Sequence, residues 1–171
     1  LVMTNGGNWE KKTYKDRVDE IKKALIHIDV DEVIVGAIQD GYLKHDPDTI
    51  DFLSNIIKKY SIDTVLCQYY KDTHQDHVNL GLNTLSIATS CKNLIFYESL
   101  TSTEFVPNYY IDISKYEIDK KNVLKEYVSQ IEKYKNRNQD LLSYIDAKDK
   151  INGIKSHVDY AEGFIINKMV Q

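Results

Sequence analysis

Short, β-branched apolar runs alternating with stretches of helical period leave this chain few folds to choose from. Leu1-Val2-Met3-Thr4, Glu32-Val33-Ile34-Val35-Gly36, Asp63-Thr64-Val65-Leu66-Cys67 and Asn93-Leu94-Ile95-Phe96-Tyr97 each have the length of a buried strand. Between them apolar residues recur at helical intervals. Val18, Ile21, Ala24, Leu25 and Ile28 make one such segment, with Thr13 or Asp16 as its cap; Ile50, Leu53, Ile56 and Ile57 make a second, and Val78 to about Ala88 a third. A strand that returns through a helix re-enters its sheet parallel to the strand it left. The pattern predicts an α/β fold with a doubly wound, mostly parallel sheet, in a single domain over residues 1–171.

The second half continues in the same vein. Tyr109-Tyr110-Ile111-Asp112-Ile113-Ser114 alternates as a half-buried edge strand does. Beyond Lys120 the chain reads as helical, with Val123, Leu124, Tyr127, Val128 and Ile131 on one helix and a second within Asn136 to Lys150. An amphipathic helix is expected from about Ile154 to Met169, carrying Tyr160, Ala161, Phe164 and Ile165, with His157 as a surface or packing residue. His45-Asp46-Pro47-Asp48 resembles a metal cluster at first sight, but reads better as a helix entry in which Asp46 caps and Pro47 opens the first turn.

Composition removes several classes of function. A formal net charge of -4 gives no surface suited to phosphate backbones, so nucleic acid is not an expected partner. The two cysteines, Cys67 and Cys91, make neither a disulfide framework nor a Cys-rich zinc module, and a reducing cytoplasm is the expected compartment. No apolar run approaches the roughly 20 residues needed to span a bilayer. The chain opens inside a strand that runs into the turn Asn5-Gly6-Gly7, which leads to the expectation of an upstream segment.

Two histidines stand where such a fold puts its chemistry. The stretch Gln68 to Asn79 leaves the third strand and enters a helix, so His74 and His77 fall in a strand-to-helix loop, where parallel sheets bind ligands. Imidazoles three apart at a helix start share one face and can converge on one metal or one substrate. The alternative is a polar loop whose imidazoles cap the helix and face water. Asp76 stands between them, either fixing a histidine tautomer or capping the helix. Arg17 follows the first turn, Asp40-Gly41 follows the second strand, and Glu98 to Pro107 forms a polar loop able to cover a pocket. Asn5-Gly6-Gly7-Asn8 lacks the Gly-x-Gly-x-x-Gly fingerprint, which disfavours a nucleotide-binding domain.

Taken together, these elements resemble the LmbE-like, or PIG-L, family of zinc-dependent N-deacetylases of N-acetylglucosamine-type sugars. Leu1-Val2-Met3-Thr4-Asn5-Gly6 is similar to the family's second strand and its Thr-x-Gly turn, and Arg17-x-x-Glu20 to its Arg-x-x-Glu helix. Asp40-Gly41-x-Leu43 resembles the Asp-Gly-x-Leu loop, and Thr73-His74-Gln75-Asp76-His77 the His-Gln-Asp-His signature. Ser129-Gln130 and Tyr160-Ala161-Glu162-Gly163-Phe164 resemble the C-terminal Ser-Gln and Tyr-Ala-Glu-x-Phe elements. The resemblance implies a Rossmann-like sheet, Zn2+ as cofactor with His77 as its ligand, His74 and Asp76 as catalytic residues, and Arg17 and Asp40 on the substrate. It also implies an acetylated amino-sugar as substrate, and a homo-oligomer is compatible with it. The family's His-Pro-Asp-Asp-Glu signature, source of the other zinc ligands and the general base, has no counterpart here and is expected upstream of Leu1. The competing reading is a catalytically silent relative that binds carbohydrate or serves assembly.

Overall fold

A computed structural model describes residues 1–4 and 14–170, the side chains of 14–17 excepted. The turn expected at Asn5-Gly6-Gly7, the Thr13 cap and the Arg17 side chain therefore lie outside the described residues. In chain order the first elements are β1 (Val2–Thr4), α1 (Tyr14–Ala24), β2 (Val35–Ile38), α2 (Pro47–Lys59), β3 (Thr64–Gln68), α3 (Gln75–Ser86) and β4 (Asn93–Tyr97). After them come β5 (Tyr109–Asp112), α4 (Glu117–Lys125), α5 (Val128–Lys135), α6 (Leu141–Ser156) and β6 (Ala161–Lys168). The fold is mixed α/β with parallel pairing in β1-β2 and β3-β4, as the strand-helix alternation predicts. Two compact units divide it: Leu1–Asp40 with Tyr110–Glu162, and Gly41–Tyr109 with Gly163–Gln171.

In the first unit β1 and β2 form a two-stranded parallel sheet, Val2 opposite Val35 and Thr4 opposite Ile38. The strand expected at Glu32–Gly36 begins three residues later, because the ladder with the three-residue β1 starts at Val35. Gly36 marks the closest approach, since a Cβ there would collide with the carbonyl oxygen of Met3. α1 starts ahead of Asp16, so that residue lies within the helix and does not cap it.

The single helix expected across Val123 to Ile131 is broken into α4 and α5. The buried Ser129 donates both its backbone N–H and its hydroxyl to the two carboxylate oxygens of Glu20, each at 2.7 Å. An amide bound to a carboxylate from α1 is not available to extend the ladder of α4, and a new helix starts there. The Arg-x-x-Glu and Ser-Gln segments thus meet through Glu20 and Ser129.

In the second unit Asp46 caps α2 as expected, its Oδ1 accepting from the Thr49 N–H at 2.9 Å, with Pro47 in the first turn. β3 and β4 run parallel in unbroken register from Thr64 opposite Asn93 to Gln68 opposite Tyr97. The largest departure from expectation is at the C-terminus. No helix spans Ile154 to Met169: α6 stops at His157, whose left-handed φ of 62° ends the helix, and β6 then pairs antiparallel with β4. The sheet order is β3-β4-β6-β5, so the edge position expected for Tyr109 to Ser114 is occupied by β5. Helical spacing at Tyr160, Ala161, Phe164 and Ile165 is real, but Phe164-Ile165-Ile166 is β-favouring and finds strands to pair with.

The core of this unit is Cys67, Tyr69, Cys91, Leu94 and Phe96, with Leu80 and Leu85 of α3 packed on it. Gly81 lets α3 lie directly on Tyr70, where an added Cβ would stand 2.7 Å from the Tyr70 Cβ and 2.8 Å from its Cα. Alanine would gain up to about 1 kcal/mol of helix propensity. Forcing a methyl against a backbone atom costs about 1–3 kcal/mol and cannot be relieved by a rotamer change. Gly81→Ala is therefore expected to destabilise the protein in urea unfolding, and a variant as stable as wild type would contradict this packing.

Candidate active site

The site grows out of the exit from β3. Tyr69 still pairs with the sheet, its N–H on the Tyr97 carbonyl at 2.9 Å, and its ring packs edge-on to Phe105 at 5.3 Å. The chain then runs beside Thr101 to Thr103. Thr103 N–H donates to the Lys71 carbonyl at 2.9 Å and Thr73 N–H to the Thr101 carbonyl at 3.1 Å, with Asp72 and Ser102 bridged antiparallel between them. The loop after β4 is thus strapped to the histidine segment. An exposed Lys71–Glu104 ion pair closes its outer side, worth little in water.

Asp72 is the hub of this strap. Its carboxylate is fully enclosed, with Oδ1 accepting the His74 N–H at 2.7 Å. Its Oδ2 accepts the hydroxyls of Ser99 and, at 3.2 Å, Ser102, and faces His77 Nδ1 at 3.2 Å. Burial pushes the carboxyl up, but hydrogen bonds from Ser99, Thr101, the His74 amide and His77 outweigh it and lower it from 3.8 to about 2. Asp72 is consequently an acceptor only, and the proton it faces must sit on His77 Nδ1. That leaves the lone pair of His77 on Nε2, the form that binds a metal, backed by a carboxylate as metal-binding imidazoles usually are. His77 thus presents an outward lone pair of the kind a metal takes, and among the described residues Asp40, His74 and Asp76 also bring possible ligand atoms within 4.8 Å of one another.

His74 has the opposite arrangement. It is the N-cap of α3, its Nδ1 accepting the Asp76 N–H at 3.3 Å, so its neutral ring carries the proton on Nε2. The two rings stack, centroids 4.6 Å apart and 26° from parallel. Side by side, one imidazole offers a lone pair and the other an N–H. The helix begins at Gln75, three residues before the expected Val78, because an imidazole here does the capping that Ser, Thr, Asp or Asn normally does.

Of the candidate residues, the structure brings His74, Asp76 and His77 together at the start of α3. Asp76 is buried, and its carboxylate holds backbone rather than an imidazole: Oδ2 accepts the Gly41 N–H at 2.6 Å and Oδ1 the Leu43 N–H at 3.1 Å. The carboxylate that sets a histidine tautomer is Asp72, on His77. Asp40 stands half-buried in the turn after β2, one residue ahead of Gly41, and Arg17 is in α1 with its side chain outside the description. Sequence reasoning missed Asp72, Ser99 and Ser102; an acidic residue two ahead of His74 was the one available signal.

Several solved structures share this fold. A conserved protein from Thermus thermophilus superposes with a TM-score of 0.79 at 21% identity, over 99% of this chain and 80% of its own. The N,N'-diacetylchitobiose deacetylase of Pyrococcus horikoshii does so with a TM-score of 0.76 at 19% identity, over 96% of this chain and 70% of its own. The 4-carboxy-2-hydroxymuconate hydratase of Pseudomonas putida also matches, with a TM-score of 0.75 at 16% identity, over 96% of this chain and 78% of its own. Identities this low establish the fold, and the fold carries more than one chemistry. The family profile described as PIG-L, GlcNAc-PI de-N-acetylase, matches residues 1–88, which takes in β1, β2, the Asp-Gly-x-Leu loop and the paired imidazoles. The chain belongs to the PIG-L family.

Proposed function

We propose that this protein is a zinc-dependent hydrolase that removes the acetyl group from an N-acetylglucosamine-type conjugate. The observation that carries the reading is the pair of stacked imidazoles in opposite protonation patterns, His77 with a free Nε2 lone pair and His74 with an Nε2 proton. Metal-assisted amide hydrolysis can use both, a lone pair to hold an electrophile and an N–H to stabilise the charge that develops at the reacting amide. When bound, zinc supplies Lewis acidity, polarising the acetyl carbonyl and lowering the pKa of water toward ~7. His77 would hold the metal, braced by Asp72. His74 would point its Nε2–H at the reacting amide and hydrogen-bond the charge that develops there, while the proton that the departing amine gains is the one the general base takes from the attacking water, so that amine and acetate leave. The resemblance assigns the remaining ligands and the general base to a signature that these 171 residues do not contain, and Arg17 and Asp40 to the substrate.

The shared fold with a hydratase makes addition of water to a carbon–carbon double bond the second reading. A parallel assay separates them. Acetate release from an N-acetylglucosamine conjugate, proportional to zinc content, is the expected result. Loss of the absorbance of a conjugated 2-hydroxymuconate with no acetate release would overturn the deacetylase reading.

A further inference from the structure

We propose that Asp76 is a positioning residue, a latch that holds the Gly41–Lys44 loop and through it sets substrate affinity rather than the chemistry of the histidines. The proposal deepens the deacetylase reading and rests on it for the meaning of its kinetic consequences. The loop has no ladder of its own, so its polar backbone groups must find partners elsewhere. One face of α3 supplies them. Asp76 accepts the Gly41 and Leu43 N–H groups, Asn79 Nδ2 donates to the Leu43 carbonyl at 2.8 Å, and Asn83 Nδ2 donates to the Lys44 carbonyl at 2.8 Å. Positions 76, 79 and 83 recur at the spacing that lines up side chains along a helix. Gln75 adds a bond from its side-chain amide to the Gly41 carbonyl. The turn itself requires glycine, with φ of 83° at Gly41.

A carboxylate is the group this position demands. Two backbone N–H groups arrive on its two oxygens, and an amide side chain would turn an NH2 toward one of them. Asp76 is 5% exposed, with little room to relieve such a clash. Its link to His74 runs through the backbone N–H, which any residue other than proline would provide. The carboxylate therefore serves the loop. That loop continues directly from Asp40 at the carboxyl end of β2, the edge at which α/β folds bind ligands. α3 presents its imidazoles from the first turn and clamps the loop from the adjoining face, so loop and imidazoles stay in fixed register.

The test is Asp76→Asn in the zinc-loaded protein, followed by NMR amide exchange and by kinetics, with Asn79→Ala as a second variant whose side chain bonds the Leu43 carbonyl. Exchange at Gly41 and Leu43 is expected to accelerate by about 10-fold or more, because a buried donor loses its acceptor. Zinc content should hold, and KM should rise about 10-fold with kcat within about 3-fold of wild type, the signature of lost ground-state binding. Asn79→Ala should move the same quantities in the same direction by less, and it carries the test if Asp76→Asn does not fold. Unchanged exchange at Gly41 and Leu43 would overturn the proposal. So would a fall in kcat with KM unmoved, or a displaced pH–rate profile, either of which would place Asp76 in the chemistry of His74. If wild type releases no acetate from any N-acetylglucosamine conjugate, the deacetylase reading fails, and the exchange data alone decide the latch.

Discussion

His77→Ala is expected to strip the protein of zinc, whereas His74→Ala should keep the metal and lose about 100- to 1,000-fold in turnover, the range for removal of a hydrogen-bond donor aimed at developing charge. The two rings are neighbours in sequence and stacked in space, so a merely structural pair would respond alike. The difference comes from their partners. His77 Nδ1 faces an ionised carboxylate and must give its proton there, while His74 Nδ1 accepts a backbone N–H and keeps its proton on the outer nitrogen. Only His77 can donate a lone pair outward without first losing a proton. Metal analysis of both variants, set beside single-turnover rates, decides the assignment, and equal loss of zinc from both would refute it.

The second large effect belongs to a residue that acts through His77. Asp72→Asn preserves size but exchanges an acceptor for a donor. The backbone N–H of His74 cannot rotate, so the amide must keep its oxygen there and turn its NH2 toward His77. His77 then has to accept on Nδ1, which moves its proton to Nε2 and removes the lone pair proposed to take the metal. The serine hydroxyls can reorient to accept, so the fold should survive while zinc affinity falls by at least the 10- to 100-fold typical of lost ligand support. Asp72→Ala should be worse. It leaves a buried set of donors with no acceptor, at a cost of about 1–3 kcal/mol for each donor that water cannot reach. Nitrogen-15 spectra of the imidazoles read the tautomer directly; an unaltered His77 tautomer in Asp72→Asn with zinc retained would show that Asp72 does not govern the ligand.

The parts of the molecule that sequence foretold are those governed by near neighbours. β3 and β4 are short β-branched runs, and Asp46-Pro47 is a cap and first turn written in adjacent residues. The failures lie where a distant partner decides. Glu20, 109 residues from Ser129, splits α4 from α5, and no local signal in Val123 to Ile131 foretells it. Ala161 to Lys168 has apolar spacing compatible with a helix, and it becomes a strand because β4 offers a partner. The site was half legible for the same reason. His74 and His77 stand out as a motif, but Asp72 acquires its meaning from Ser99 and Ser102, 27 and 30 residues further on.

The strap between the segment before His74 and the loop after β4 also bears on how enzymes of this build can diversify. Thr101 to Thr103 is hydrogen-bonded backbone to backbone with Lys71 to Thr73, and Ser99 and Ser102 hold the carboxylate that orients His77. Changes in that stretch act on the imidazoles whatever they do for a substrate. Past it, Glu104 adopts a left-handed φ of 53° and Val106 stands 76% exposed. Insertion between Val106 and Pro107 thus leaves both the strap and the packing of Phe105 on Tyr69 in place, while a cut within Thr101 to Thr103 severs the strap, so the natural crossover point for exchanging specificities lies on the far side of Phe105.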